Sequence, residues 1–137
     1  MSIQEKEAEL IAEFDMFGDW TEKYEYLIEL GKELPLLEEQ EKTEEKLIKG
    51  CQSRVWLKVE KQNDLLIFKA DSDAIITKGI VAVLIRVLSE QSPKEIIDND
   101  FSFVDRIGLR EHLSPTRSNG LVSMLKQMKL YAIALAH

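Results

Sequence analysis

Residues 3–16 place Ile3, Ala8, Leu10, Ile11 and Phe14 mostly on one face at helical spacing, with Glu5, Glu9 and Glu13 along another. Gly18 breaks that pattern, and Asp19 is a natural N-cap for a second helix, its carboxylate accepting from a free backbone N–H. That helix carries Trp20, Tyr24, Leu27, Ile28 and Gly31 as its apolar stripe. Pro35 should end it, because proline cannot continue the hydrogen-bond ladder. The polar stretch 38–46, "EEQEKTEEK", reads as a surface loop.

The period then changes. "RVWLKVE", 54–60, sets Val55, Leu57 and Val59 on one face and Trp56, Lys58 and Glu60 on the other, the alternation of a half-buried strand. "KQND", 61–64, is a turn, and "LLIFKAD", 65–71, is the returning strand of an antiparallel hairpin. "DSD", 71–73, should cap a helix over about 74–89 that is apolar nearly all round and therefore buried on several sides. Ser92-Pro93-Lys94-Glu95 has the form of a capping box and starts a short helix reaching about Asn99. "FVDRIGL", 103–109, predicts a further helical turn ended by Gly108. Ser114-Pro115 opens the last helix, with Leu121, Met124, Leu125, Met128, Ala132 and Leu135 as its apolar stripe. The order predicts an α+β fold, a two-layer arrangement of a small antiparallel sheet packed against helices, in one domain over residues 1–137.

Composition narrows the function classes. The chain has 137 residues, 45% hydrophobic and 31% charged, an ordinary globular balance. Its net charge of −7 is uneven: residues 1–47 hold 15 Asp/Glu against 5 Lys/Arg, and the remainder 10 against 13. An acidic half argues against nucleic acid as the main partner, since phosphate contacts need clustered Lys and Arg. The longest apolar run, "IVAVLI" at 80–85, is far shorter than the roughly 20 residues that span a bilayer. The acidic N-terminus has no basic segment followed by an apolar one. A cytoplasmic protein with no membrane partner is expected.

One cysteine, Cys51, is present. A lone thiol cannot form an intramolecular disulfide, a Cys-x-x-Cys redox pair or a four-thiolate zinc site, and no cluster of metal ligands or phosphate-binding glycine loop stands out, so no cofactor or metal is expected. Cys51 follows Gly50 and precedes Gln52 and Ser53 at the mouth of the first strand. Glycine allows a sharp loop tip, and the flanking Lys49 and Arg54 should favour the nucleophilic thiolate. Three roles are open to such a thiol: a Cys–His hydrolase with His112 or His137 as base, a carrier that accepts a group and hands it on, and an interaction module with an idle cysteine. A carrier needs only a nucleophile, access and a docking surface.

Four blocks, "DWTEKYEYLIELGKELP" (19–35), "GCQSRVW" (50–56), "DSDAIITKGIVAVL" (71–84) and "HLSPTRSNGL" (112–121), together resemble the SufE family of sulfur acceptors, in that family's order and spacing. The resemblance implies the fold shared with IscU-type scaffolds. It also implies that Cys51 takes sulfane sulfur as a persulfide from a PLP-dependent cysteine desulfurase of the SufS type, stimulates that enzyme, and passes the sulfur to the SufBCD assembly scaffold. A CsdE-type acceptor serving a paralogous desulfurase has a similar cysteine loop. The family is understood to keep the cysteine tip in an apolar pocket until the desulfurase docks. Arg117 and Asp73 fall inside resembling blocks, the first able to stabilise an anionic sulfur and the second a helix cap or support for the thiol; Gly50, Gln52 and Ser53 support the loop. The apolar and amphipathic helices are compatible with a monomer or a homodimer.

Overall fold

The computed structural model describes residues 2–34 and 37–136. Helix α1 (Ile3–Asp15) begins at Ser2, whose hydroxyl accepts from the Glu5 N–H while the Glu5 carboxylate accepts from the Ser2 N–H. Two of the free amides at the helix start are thus satisfied locally. Helix α2 (Trp20–Lys32) starts as the sequence predicts, with Asp19 accepting from the Glu22 N–H at 2.9 Å. It ends at Lys32, ahead of Pro35, which lies outside the described residues together with Leu36.

The segment 38–46 is not a plain loop. It forms two 3-10 turns, Glu39–Glu41 and Glu44–Lys46, and sends Lys42 inward. The Lys42 ammonium pairs with Asp71 at 2.7 Å and lies over the Trp56 ring. Strands β1 (Val55–Gln62) and β2 (Leu65–Ser72) pair antiparallel from Val55 opposite Ser72 to Gln62 opposite Leu65. The turn is tighter than "KQND" suggests: Asn63 and Asp64 alone make it, at φ of 51° and 65°. That is the doubly left-handed turn whose twist matches a two-residue hairpin, and both residue types tolerate it.

Helix α3 (Ile75–Leu88) runs through the middle of the molecule, with Ile80, Val83, Leu84, Val87 and Leu88 at 1% exposure or less. Its expected "DSD" cap is absent. The N-cap is Ala74, with no side-chain bond, because all three polar residues are engaged elsewhere. Asp71 pairs with Lys42 and Lys78. Ser72 donates its hydroxyl to the Arg54 carbonyl and accepts from the Ala74 N–H. Asp73 reaches back to Arg54. Helix α2 packs closely on α3 through two glycines. A β-carbon on Gly31 would stand 3.0 Å from the Gly79 nitrogen, and one on Gly79 would stand 2.3 Å from the Leu27 carbonyl oxygen. From the other side Arg86 of α3 is gripped by Glu9 (2.7 Å) and Glu13 (2.6 Å to one oxygen) of α1. The two carboxylates hold the guanidinium firmly in its charged form.

Helix α4 (Pro93–Asp98) is capped by Ser92, which accepts from the Glu95 N–H; this is the serine half of the expected box. Helix α5 (Phe103–Ile107) ends at Gly108 with φ of 89°, as predicted, but a one-turn helix α6 (Leu109–His112) follows directly. Helix α7 (Pro115–Ala134) opens on Ser114, which accepts from the Arg117 N–H, and buries Leu121, Met124, Leu125, Met128 and Ala132. The whole is the expected α+β arrangement, a two-stranded antiparallel sheet packed against helices.

Candidate functional site

The loop that carries Cys51 is tied down at both ends. On its near side the Ile48 N–H donates to the Val55 carbonyl at 2.9 Å. On its far side the Arg54 N–H donates to the Asp73 carboxylate at 3.0 Å, and the Asp73 N–H donates back to the Arg54 carbonyl at 3.3 Å. Asp73 is therefore an anchor for the loop exit rather than a helix cap. Gly50 turns the chain at φ of 91°, and a β-carbon there would fall 2.4 Å from Ser123 Oγ of α7. Both the angle and the close approach require glycine, as the sequence suggests.

This turn lays Cys51 against α7. The thiol donates to the Gly120 carbonyl at a sulfur distance of 3.6 Å and is half-buried. Beside it opens a cavity of about 320 Å³. Its walls are Cys51, Gln52 and Ser53 from the loop, Thr77 and Ile80 from α3, and Ser114, Thr116, Arg117, Gly120 and Met124 from α7 and its cap. The lining is predominantly polar, which differs from the apolar pocket expected. The reason lies in the elements: capping and solvent-facing residues from the cysteine loop and the first turns of α3 and α7 make most of the wall, with Ile80 and Met124 as its apolar part.

The thiol itself is not activated at rest. Burial pushes the Cys51 thiol up from its ordinary value, because a partly desolvated thiolate is disfavoured. Lys49 and Arg54 are exposed and do not offset this, so the expected thiolate-favouring effect of the flanking cations is overturned. Arg117 is brought to the cavity wall, exposed, and pairs with no carboxylate among the described residues. Gln52 and Ser53 are brought there as well. Asp73 is not on the wall and acts on the loop from behind.

His112 is placed elsewhere. Its ring stacks on Trp20 with centroids 4.1 Å apart, its Nδ1 donates to the Gly108 carbonyl at 3.0 Å, and its own carbonyl accepts from Tyr24. It does not line the cavity, so it is no base for Cys51. His137, the other candidate base, lies outside the described residues. Among the described residues no group of His, Cys, Asp and Glu could hold a metal ion, and no helix is long and apolar enough to cross a membrane. Sequence reasoning missed Thr77, Ser114 and Gly120 as parts of the site. A signal for Thr77 existed: it and Lys78 are the only polar side chains between Ile75 and Ile85.

The SufE family, described as an Fe-S metabolism associated domain, matches residues 8–132. A SufE-like protein of Rhizobium etli, itself uncharacterized, is 41% identical over 126 residues, covering 88% of this chain and 85% of that protein. The solution structure of a hypothetical protein from Thermus thermophilus superposes with a TM-score of 0.78 over 94% of each chain at 18% identity, a likeness of fold alone. A family match over nearly the whole length, a relative well above chance identity and a lone thiol mounted on a loop lead to one conclusion: the chain belongs to the SufE family, the sulfur-transfer accessory proteins of iron–sulfur metabolism.

Proposed function

We propose that the protein is a cytoplasmic sulfur acceptor and carrier: Cys51 takes sulfane sulfur from a PLP-dependent cysteine desulfurase of the SufS type and hands it to the SufBCD scaffold. The observation that carries this reading is the setting of Cys51, a solitary thiol on a glycine-turned tip with a cavity beside it large enough for a second sulfur atom. The exchange follows thiol–disulfide rules. The Cys51 thiolate attacks the outer sulfur of the donor's persulfide. A new bond forms to Cys51 Sγ, the donor's S–S bond breaks, and its electron pair leaves on the donor cysteine as a thiolate. That thiolate takes up the proton Cys51 has shed. No external oxidant is needed, since the sulfur changes carriers without a net redox change.

The resting thiol is protonated and half-covered, so the free protein is a poor nucleophile. Docking that draws the tip out of its cavity rehydrates the sulfur and lowers the cost of its thiolate. Delivery to the scaffold runs the same exchange in the opposite sense, with Cys51 as leaving group.

Incubation with a SufS-type desulfurase and cysteine, followed by intact mass, tests the reading. Wild type should gain one sulfur atom and Cys51→Ser none, with the desulfurase turning over faster only in the presence of wild type. An unloaded wild type with every desulfurase tried, including the CsdA type that serves CsdE-type acceptors, would end the carrier reading. Loading by the CsdA type alone would reassign the donor.

A further inference from the structure

We propose that Thr77 is the hydrogen-bond donor for the cargo sulfur, a role in the cavity that rests on the carrier reading above. Thr77 is 6% exposed and sits in the first turn of the core helix α3, yet its hydroxyl has no hydrogen-bond partner among the described residues. No buried side-chain oxygen or nitrogen is left both sealed and unpartnered among those residues, so the Thr77 hydroxyl is one that opens onto the cavity it lines. A hydroxyl that opens onto the cavity and has no protein partner is free to donate to whatever enters that space.

The resting thiol does not supply that use. Its bond goes to the Gly120 carbonyl, an acceptor, on the α7 side. A persulfide changes the demand. Its outer sulfur stands about 2 Å beyond Sγ and carries the negative charge of the perthiolate. It needs donors, and it must lie in the cavity if the tip remains seated. Gly120 offers only a carbonyl there. Gln52, Ser53, Ser114, Thr116 and the one formally charged side chain, Arg117, also line the space, but Thr77, on the α3 side, is the one donor among them that is buried. The division of labour is therefore by state: Gly120 receives the empty thiol's proton, and Thr77 meets the loaded sulfur. Other charges near the tip are Lys49 and Arg54 on the same loop and Asp73 ahead of α3, all exposed.

The test uses Thr77→Val, which keeps shape and burial while removing the hydroxyl, and Thr77→Ser, which keeps the hydroxyl. Cys51 is loaded with inorganic polysulfide, so that no desulfurase is involved: a bond forms from Cys51 Sγ to a polysulfide sulfur, a polysulfide S–S bond breaks, and the shortened polysulfide leaves. Intact mass verifies the added sulfur. Iodoacetamide alkylation is then followed against pH for the loaded and the empty proteins. A hydrogen bond to a charged acceptor is worth roughly a tenfold change or more. The acid limb of the loaded profile should therefore move up by about one pH unit in Thr77→Val, with about tenfold slower alkylation along it. Thr77→Ser should follow wild type, and the empty-thiol profiles of all three should coincide. Identical loaded profiles, a Thr77→Ser protein that behaves as Thr77→Val, or an empty-thiol profile that shifts by the same amount would each overturn the proposal. Failure of wild type to take up sulfur from polysulfide overturns it too, since the cavity then does not house the cargo. The carrier reading fails separately, by an absent mass gain with a desulfurase.

Discussion

Cys51 is a thiol that its burial holds in the protonated form. Its polar neighbours in sequence suggest the opposite, because one-dimensional proximity to Lys49 and Arg54 says nothing of whether their charges face the sulfur. In the fold they point to solvent while the thiol leans on Gly120. Desolvation raises the thiol, so the folded protein keeps its proton to higher pH than an unfolded chain does. Alkylation of the isolated protein should accordingly have its midpoint above that of a short peptide spanning residues 47–56, and denaturant should bring the two together. A midpoint at or below the peptide's would show that the cations do reach the sulfur. What was legible in sequence here was the loop and the glycine that turns it. The depth of the seat was not, because it depends on α7, about seventy residues away along the chain.

At the scale of elements, the helices and the hairpin announce themselves through period and caps: Asp19, Ser92 and Ser114 all accept the bonds their sequence context predicts. Failures occur where a polar residue has a better long-range offer. The "DSD" segment looks like a cap because capping is the local option, yet Asp73 bonds Arg54 and Asp71 bonds two lysines. The close contact of α2 with α3 was less legible: Gly31 falls in the predicted apolar stripe, but nothing in the sequence pairs it with Gly79. Their partnership gives a sharp prediction. In Gly79→Ala the new methyl meets the Leu27 carbonyl backbone, which cannot swing aside as a side chain would, so the helices must separate. A loss of about 3 kcal/mol is expected in urea unfolding, against about 1 kcal/mol gained for the same change at an unhindered helical site.

Across the whole molecule, Asp71 joins three parts: the 3-10 segment through Lys42, the hairpin it belongs to, and α3 through Lys78. Burial alone would raise its carboxyl, but Lys42, the Ser72 N–H and Lys78 together outweigh that and hold it below the usual carboxylate range. A depressed carboxyl contributes stability that is present above its unfolded value, about 3.9, and is lost as pH falls through the lower folded value. Asp71→Asn should therefore be destabilised at neutral pH by about 1–3 kcal/mol, and its stability should fall less than wild type's on acidification; parallel urea curves at both pH values would show the network to be idle. The two ties that frame the cysteine loop have a further consequence, one of tether length. With Ile48 and Arg54 held, only residues 49–53 are free to swing. A strand of that length, doubled back on itself, carries its tip no farther than roughly 10 Å from its moorings. The loop cannot reach across a gap in the manner of a long flexible arm. On the carrier role proposed above, a donor would have to push its own sulfur nearly to the surface, and its reach would decide which enzymes can serve Cys51.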